Sequence, residues 1–283
     1  PMRMVRMVGM VRTLNLDRRS FSKYGRSVEA WAERPGLTTG VAVLVLLSAF
    51  TKSAQFPFHV WLPDAMAAAT PVSAYLHAAA MVKAGVYLVA RMTPGFADAP
   101  PWRPTVVVLG SLTLIIAGWR ALREYDLKLV LAYGTVSQLG MITVLVGTGG
   151  GNVMLAGLAL LCAHAMFKAT LFMSAGIVDH ETGTRDIRRL GGLAKVMPVT
   201  ATLATLAAAA MAGLPPLGGF ISKELMLGET LEVGLFGLPW LVPVVATIAA
   251  TLSVAYSLRF ALFLFFGQAR DPEPHARAHD PGG

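Results

Sequence analysis

The sequence predicts an all-α, polytopic transmembrane helix bundle, and three observations carry that prediction. Of the 283 residues 55% are hydrophobic, and only 14% are charged, against roughly 25% in an ordinary soluble domain. Seven apolar stretches can be marked off, at 37–62, 71–92, 104–122, 127–147, 152–178, 197–217 and 239–266. Each is long enough to cross a hydrocarbon core of about 30 Å as a helix. Two of them are interrupted by proline, which predicts broken helices.

The net charge of +8 could indicate a nucleic-acid partner. The basic residues, however, sit in short loops and in the N-terminal stretch, where bilayer topology accounts for many of them. No nucleic-acid partner is expected. The single cysteine, Cys162, lies inside the fifth span, so neither an intramolecular disulfide nor a thiolate metal cluster can form. The opening stretch carries many basic residues and builds no apolar core of a signal peptide. It begins with Pro1, and a Pro/His/Gly-rich stretch follows the last span. A partial chain is expected, divided into an unassigned basic segment 1–36, a membrane domain 37–267 and a polar tail 268–283.

Orientation follows from the loops. Arg120, Arg123 and Lys128 follow span three, Arg185, Arg188, Arg189 and Lys195 follow span five, and Arg270 and Arg277 follow span seven. The opposite loops carry Arg91 and Arg103, then no basic residue, then Glu229 and Glu232. The positive-inside rule places the first set in the cytoplasm. Arg18, Arg19, Lys23, Arg26 and Arg34, before span one, argue the other way.

Lysine and arginine are distributed differently. Of 17 arginines only Arg259 falls well inside a span, whereas three of the 7 lysines, Lys52, Lys83 and Lys168, fall near the middles of spans one, two and five. A fourth, Lys223, follows the break in span six. A cation at bilayer depth costs ~2.5–3.5 kcal/mol on insertion scales, so four cost on the order of 10 kcal/mol. Lysine can release its proton in a desolvated site and arginine cannot. Lysines at similar depth in neighbouring helices would form a polar row along the membrane plane, as a proton carrier requires. The competing reading is that each one snorkels or makes a structural ion pair.

Histidines join this row. His164 and Lys168 are four apart and share a helix face. His77 and Lys83 are six apart, about 120° round a regular helix, so a direct pair needs a local distortion or a bridging water. His59 shares a face with Lys52 near the end of its span and reads equally well as a structural residue. None of these spacings resembles a zinc site.

The segment Gly213-Leu214-Pro215-Pro216-Leu217-Gly218-Gly219 cannot continue a helix. Broken backbone at membrane depth is tolerated where protein or a water-lined cavity satisfies the freed groups, and such breaks mark ion sites in transporters. A plain loop outside the membrane is the alternative. Lys223 and Glu224 follow the break and point in different directions. Pro57 interrupts span one just after Lys52. Span two is lined with small residues, Ser73, Ala74, Ala78, Ala79, Ala80, Ala84 and Gly85, which allow close helix approach. Ser137 and Gln138 in span four could carry waters or simply pack.

Residues 51–91, TKSAQFPFHVWLPDAMAAATPVSAYLHAAAMVKAGVYLVAR, together with HAMFKATLFMSAG (164–176), VDHETGTRDIRRLGGL (178–193) and GLPPLGGFISKE (213–224), resemble the antiporter-like subunits shared by respiratory complex I and the multisubunit Mrp-type sodium/proton antiporters. The VDHETGTRDIRRL loop, VKAG at 82–85 and the FISKE ending look more like the Mrp A subunits than their complex I relatives. The resemblance covers roughly residues 38–267 and implies part of a fourteen-helix module with two inverted repeats. By that resemblance Lys52, His77, Lys83, His164, Lys168, Lys223 and Glu224 are the proton-transfer positions. No acid precedes Lys52 in any span, a departure from the family, whose first lysine pairs with a glutamate on an earlier helix.

The resemblance further implies a subunit in the cell membrane of a bacterium, working with other antiporter subunits to exchange protons for Na+ or another monovalent cation. It needs no cofactor and is a transporter subunit rather than an enzyme. The alternatives are a pumping subunit of complex I or, from another class, a membrane scaffold without transport of its own.

Overall fold

The computed structural model describes residues 35–231, 233 and 237–281. The unassigned segment 1–36 thus lies almost wholly outside the described residues, as does Glu232. The described residues are helical, with one isolated antiparallel bridge, Asp126 to Asp186, and no strands. In chain order the helices are α1 (Pro35–Lys52), the short α2 (Trp61–Asp64), α3 (Thr70–Ala74), α4 (Met81–Phe96), α5 (Trp102–Arg123), α6 (Leu127–Gly147), α7 (Gly151–Thr182), α8 (Pro198–Ala212), α9 (Gly218–Thr230), α10 (Leu241–Phe265) and α11 (Pro272–Arg277).

Six of the expected seven spans are long and apolar enough to cross a membrane: α1, the combined stretch Thr70–Phe96, and α5, α6, α7 and α10. The stretch at 197–217 is the 15-residue α8, followed by a break and then α9. The broken helix expected from the Pro/Gly cluster is thus present as two half-length helices. α7 has 32 residues, about 48 Å at 1.5 Å per residue, longer than a hydrocarbon core of about 30 Å, and Asp179, His180 and Glu181 stand in its last turn.

α6 is the hub. Buried residues make up 94% of its apolar window, and it packs on α4, α5, α7 and α10. A helix apolar all round belongs in the middle of a bundle. The small residues of span two act as expected at Gly85, where a Cβ would stand 2.1 Å from both Ala49 O on α1 and Ser53 Oγ just beyond its end. Only glycine lets these backbones come that close.

The basic loops gather at one end of the bundle, which agrees with their assignment to a single side. Leu127 N–H donates to Arg185 O (2.9 Å) and Ile187 N–H to Tyr125 O (2.9 Å). Arg270 donates to Ile187 O (2.9 Å) and Leu190 O (2.8 Å), and Arg189 pairs with Asp271. Arg259 falls well inside a span by sequence, yet its guanidinium reaches Glu124 O at 2.7 Å, at the end of α5. It snorkels to the loop layer.

The tail also closes a helix. Asp280 accepts from Val199 N–H (2.8 Å), Thr200 N–H (3.1 Å) and the Thr200 hydroxyl (2.6 Å), supplying an N-cap for α8 that α8's own N-cap residue, Met197, does not. Burial raises the Asp280 pKa, but the Thr200 hydroxyl, the two N–H groups and nearby His279 outweigh it, and the net shift is downward. A carboxyl held below its ordinary value stabilises the fold above that value and loses the contribution as pH falls through the depressed one. Asp280→Ala is therefore expected to cost roughly 1 kcal/mol, read as a lower thermal midpoint of the full-length protein in detergent at neutral pH. The difference from the unsubstituted protein should close under acid conditions below the aspartate range. A gap that persisted unchanged there would refute the ionised cap.

Candidate functional site

Four lysines are buried; Lys128 pairs with a carboxylate, whereas Lys83, Lys168 and Lys223 are met by main-chain oxygen. Lys83 lies on α4 just after a π-helical turn at Tyr75–Ala79. In that turn Ala80 N–H reaches back five residues to Tyr75 O (3.3 Å), and the Lys83 ammonium donates to Ala78 O. The local distortion that the six-residue spacing of His77 and Lys83 demands is thus present. It anchors the lysine to backbone beside the histidine rather than pairing the two directly. His77 is fully buried, with its ring 4.6 Å from that of Phe172 on α7.

Lys168 and His164 occupy one face of α7, both with no exposed surface. Lys168 Nζ donates to Leu131 O on α6 (2.9 Å) and lies 5.9 Å from the centre of the Tyr256 ring. His164 is within electrostatic range of Lys168, Lys83 and His77. Among the described residues neither ring nitrogen of His77 or His164 has a hydrogen-bond partner. Buried polar atoms without partners are uncommon, and these four belong to rings within electrostatic range of Lys168.

The third lysine stands at the break between α8 and α9. α8 ends at Gly213, whose φ of +90° favours glycine. Lys223, on α9, turns back and donates to Met211 O (2.7 Å), Ala212 O (3.0 Å) and Ser253 Oγ on α10 (2.9 Å). It therefore caps the open carbonyls of α8, where a cation also meets the negative end of the helix dipole. The plain-loop alternative does not account for a buried lysine drawn into the break.

The remaining residues stand apart. Lys52 is the last residue of α1 and is exposed, so it marks a helix end rather than a span centre and does not join the cluster. Glu224 is exposed on α9 and, as its adjacency to Lys223 implies, faces elsewhere. His59 is buried, its ring 5.8 Å from Phe56 and its Nδ1 unpaired. Outside the row, Lys128 pairs with Asp179 at 3.7 Å and borders a cavity of about 620 Å³ lined also by Thr70, His180 and Glu181. Among the described residues no three His, Cys, Asp or Glu side chains are placed to hold a metal ion.

Sequence reasoning missed Tyr256 and Ser253. Tyr256 is buried and accepts a hydrogen bond from Gln138 Nε2 on α6 (3.1 Å). The available signal was the spacing of Ser253, Tyr256 and Ser257, three and four apart, which draws one polar stripe on an otherwise apolar helix. Ser137 only packs, donating to Leu114 O (2.9 Å).

Fold and site together define a polytopic helical membrane module with a broken helix and buried, carbonyl-held lysines. A family model described as NADH:quinone oxidoreductase/Mrp antiporter, TM, matches residues 4–253, and the chain belongs to that family. The match starts well before residue 38, where the resemblance carried by the motifs begins. A probable K(+)/H(+) antiporter A/B subunit of Rhizobium meliloti (strain 1021) is 54% identical over 242 residues, 85% of this chain and 24% of that protein. A Na(+)/H(+) antiporter A1 subunit of Staphylococcus aureus (strain JH9) is 45% identical over 257 residues, 84% of this chain and 32% of that protein. A chain in the structure of the Mrp complex from Dietzia sp. DQ12-45-1b superposes with a TM-score of 0.77 at 46% identity, covering 87% of this chain and 28% of that one. The chain thus spans about a quarter to a third of the relatives it matches.

At the break, a Cβ on Gly213 would fall 2.9 Å from Lys223 Cδ, at a backbone conformation L residues avoid. Gly213→Ala is expected to cost about 1–2 kcal/mol, measured as a lower unfolding midpoint of the full-length protein in detergent. An unchanged midpoint would show that the break does not hold this geometry.

Proposed function

We propose that the chain is the proton-conducting membrane part of a multisubunit monovalent-cation/proton antiporter subunit in a bacterial cell membrane. Lys83, His77, His164, Lys168 and Lys223 pass protons laterally through the bundle. Lys52 and Glu224, exposed on the described part of the chain, connect this row to helices or subunits packed outside it. The observation that carries the reading is the buried cluster itself: three lysines held by carbonyls, with no carboxylate within 4 Å of any of them among the described residues, and two buried histidines whose nitrogens have no partner among the described residues.

An ammonium held by a neutral oxygen can give up its proton without leaving an unpaired buried carboxylate, whereas one locked to a carboxylate would be held charged. The relatives support the same reading. Their names differ in the cation, K+ in one and Na+ in the other, and agree on the proton. Proton transfer among lysines, histidines and waters needs no cofactor, and the chain performs no covalent chemistry on a substrate. Its partners are the other subunits of the antiporter, and protons are coupled to Na+ or another monovalent cation.

The test uses the full-length subunit in its assembled complex, reconstituted in vesicles. Lys168→Ala should lower cation-driven proton flux by at least about tenfold, a barrier increase of about 1.4 kcal/mol. Flux equal to that of the unsubstituted complex, with assembly intact, would overturn the reading.

A further inference from the structure

The cluster leaves a gap to be crossed. Lys168 on α7 and Lys223 on α9 touch different carbonyls, and no hydrogen bond joins either of them to His77 or His164 among the described residues. One face of α10 borders both. Ser253 Oγ accepts from Lys223 Nζ at 2.9 Å and donates to Met211 O at 3.0 Å. Tyr256, three residues on and therefore on the same face, has its hydroxyl near enough to Ser253 for the two to interact. At its other edge the Tyr256 ring faces Lys168 Nζ, 5.9 Å from the ring centre. Ser253, Tyr256, Lys168 and Lys223 are all buried.

Two further features fit a path rather than packing. Gln138 Nε2 donates to the Tyr256 oxygen at 3.1 Å, which occupies one lone pair and leaves the phenolic hydrogen free to be donated elsewhere. Gly134 on α6 lies where Lys168 and Tyr256 meet. A Cβ there would be 3.0 Å from Lys168 Nζ and 3.2 Å from Tyr256 Cε2, so any larger residue would wedge between the ammonium and the phenol.

We propose that Tyr256 and Ser253 form a hydroxyl bridge that carries a proton between Lys168 and Lys223. The inference rests on the lysine-relay reading of the protein's function. The Lys168 ammonium breaks one N–H bond and gives its proton to a water, which spans the distance to the phenol. That water passes a proton to the Tyr256 oxygen as the phenolic O–H breaks and its proton moves to Ser253 Oγ. The original Ser253 proton leaves for the neutral amine of Lys223, forming its third N–H bond. One proton has moved from Lys168 to Lys223, both hydroxyls are restored, and no electrons have changed hands.

The experiment compares Tyr256→Phe, Ser253→Ala and their double variant with Lys168→Ala and Lys223→Ala, all in the full complex in vesicles, with assembly checked by gel filtration. Tyr256→Phe, which keeps the ring and removes only the oxygen, should lower cation-driven proton flux about tenfold and raise the solvent deuterium isotope effect on what remains. Ser253→Ala should lower flux several-fold, and the double variant should be no worse than Tyr256→Phe, because both act on one path. If Tyr256→Phe fails to assemble, Gln138→Leu and Gly134→Ala carry the same test, each with the same expected loss. Unchanged flux in the assembled bridge variants, while both lysine variants are inactive, overturns the bridge and leaves the relay standing. A flux loss with an unchanged isotope effect also overturns the bridge. Full flux in Lys168→Ala and Lys223→Ala overturns both.

Discussion

The rest of the architecture depends on how a charged amine is held where there is no water. Inside a bilayer every polar group must find its partner within the protein, and here Lys83, Lys168 and Lys223 each find a backbone carbonyl. Ala78 O serves Lys83 beside a π-helical turn, Leu131 O serves Lys168 on α6, and Met211 O and Ala212 O serve Lys223 at the open end of α8. Two of these three places are irregular backbone. The irregularities and the lysines therefore stabilise one another, since a broken helix exposes acceptors and a cation satisfies them.

The same economy sets the arrangement of helices. α6 runs through the middle, and its neighbours supply the groups that line the row: α4 with Lys83, α7 with His164 and Lys168, α10 with Ser253 and Tyr256. Glycines on α6 keep the distances short, as Gly134 does beside Lys168. At the loop end a different logic applies. Arg188, Arg189, Arg259 and Arg270 are tied to carboxylates, carbonyls and aromatic faces, contacts that hold the end of α5, the loop after α7 and the end of α10 together without bringing charge into the interior. Arginine stays at the rim and lysine goes inward, and the difference in their acidity gives that division a reason.

Much of this is legible in the chain. Apolar runs of about twenty residues locate the spans, and the Pro/Gly cluster at 213–219 locates the break. The contrast between lysine and arginine picks out Lys83, Lys168 and Lys223. Hydropathy misplaces Lys52 because it runs on through Phe56, Phe58 and Trp61 after the helix itself has ended. Arg259 looks buried because composition records where a Cα sits and not where a long side chain ends. The π turn leaves no mark in an alanine-rich stretch, although the awkward spacing of His77 and Lys83 asks for something of its kind. Tyr256 and Ser253 escape notice because a single tyrosine and two serines barely lower the hydropathy of a 25-residue helix. Their importance comes from what α7 and α9 bring to them, which is a fact of tertiary structure.

The π turn at Tyr75–Ala79 is, in effect, one surplus residue absorbed by a helix. Each residue of an α-helix turns the chain by about 100°, so the surplus fixes the angular setting of everything that follows, from Met81 to Phe96. A chain one residue shorter in this stretch would keep its hydropathy, its composition and every lysine. It would also turn Lys83 about a quarter of the way round, off the row and toward the lipid. The alignment of the buried charges is thus partly a matter of counting, and a deletion of one alanine could silence a residue that no substitution had touched.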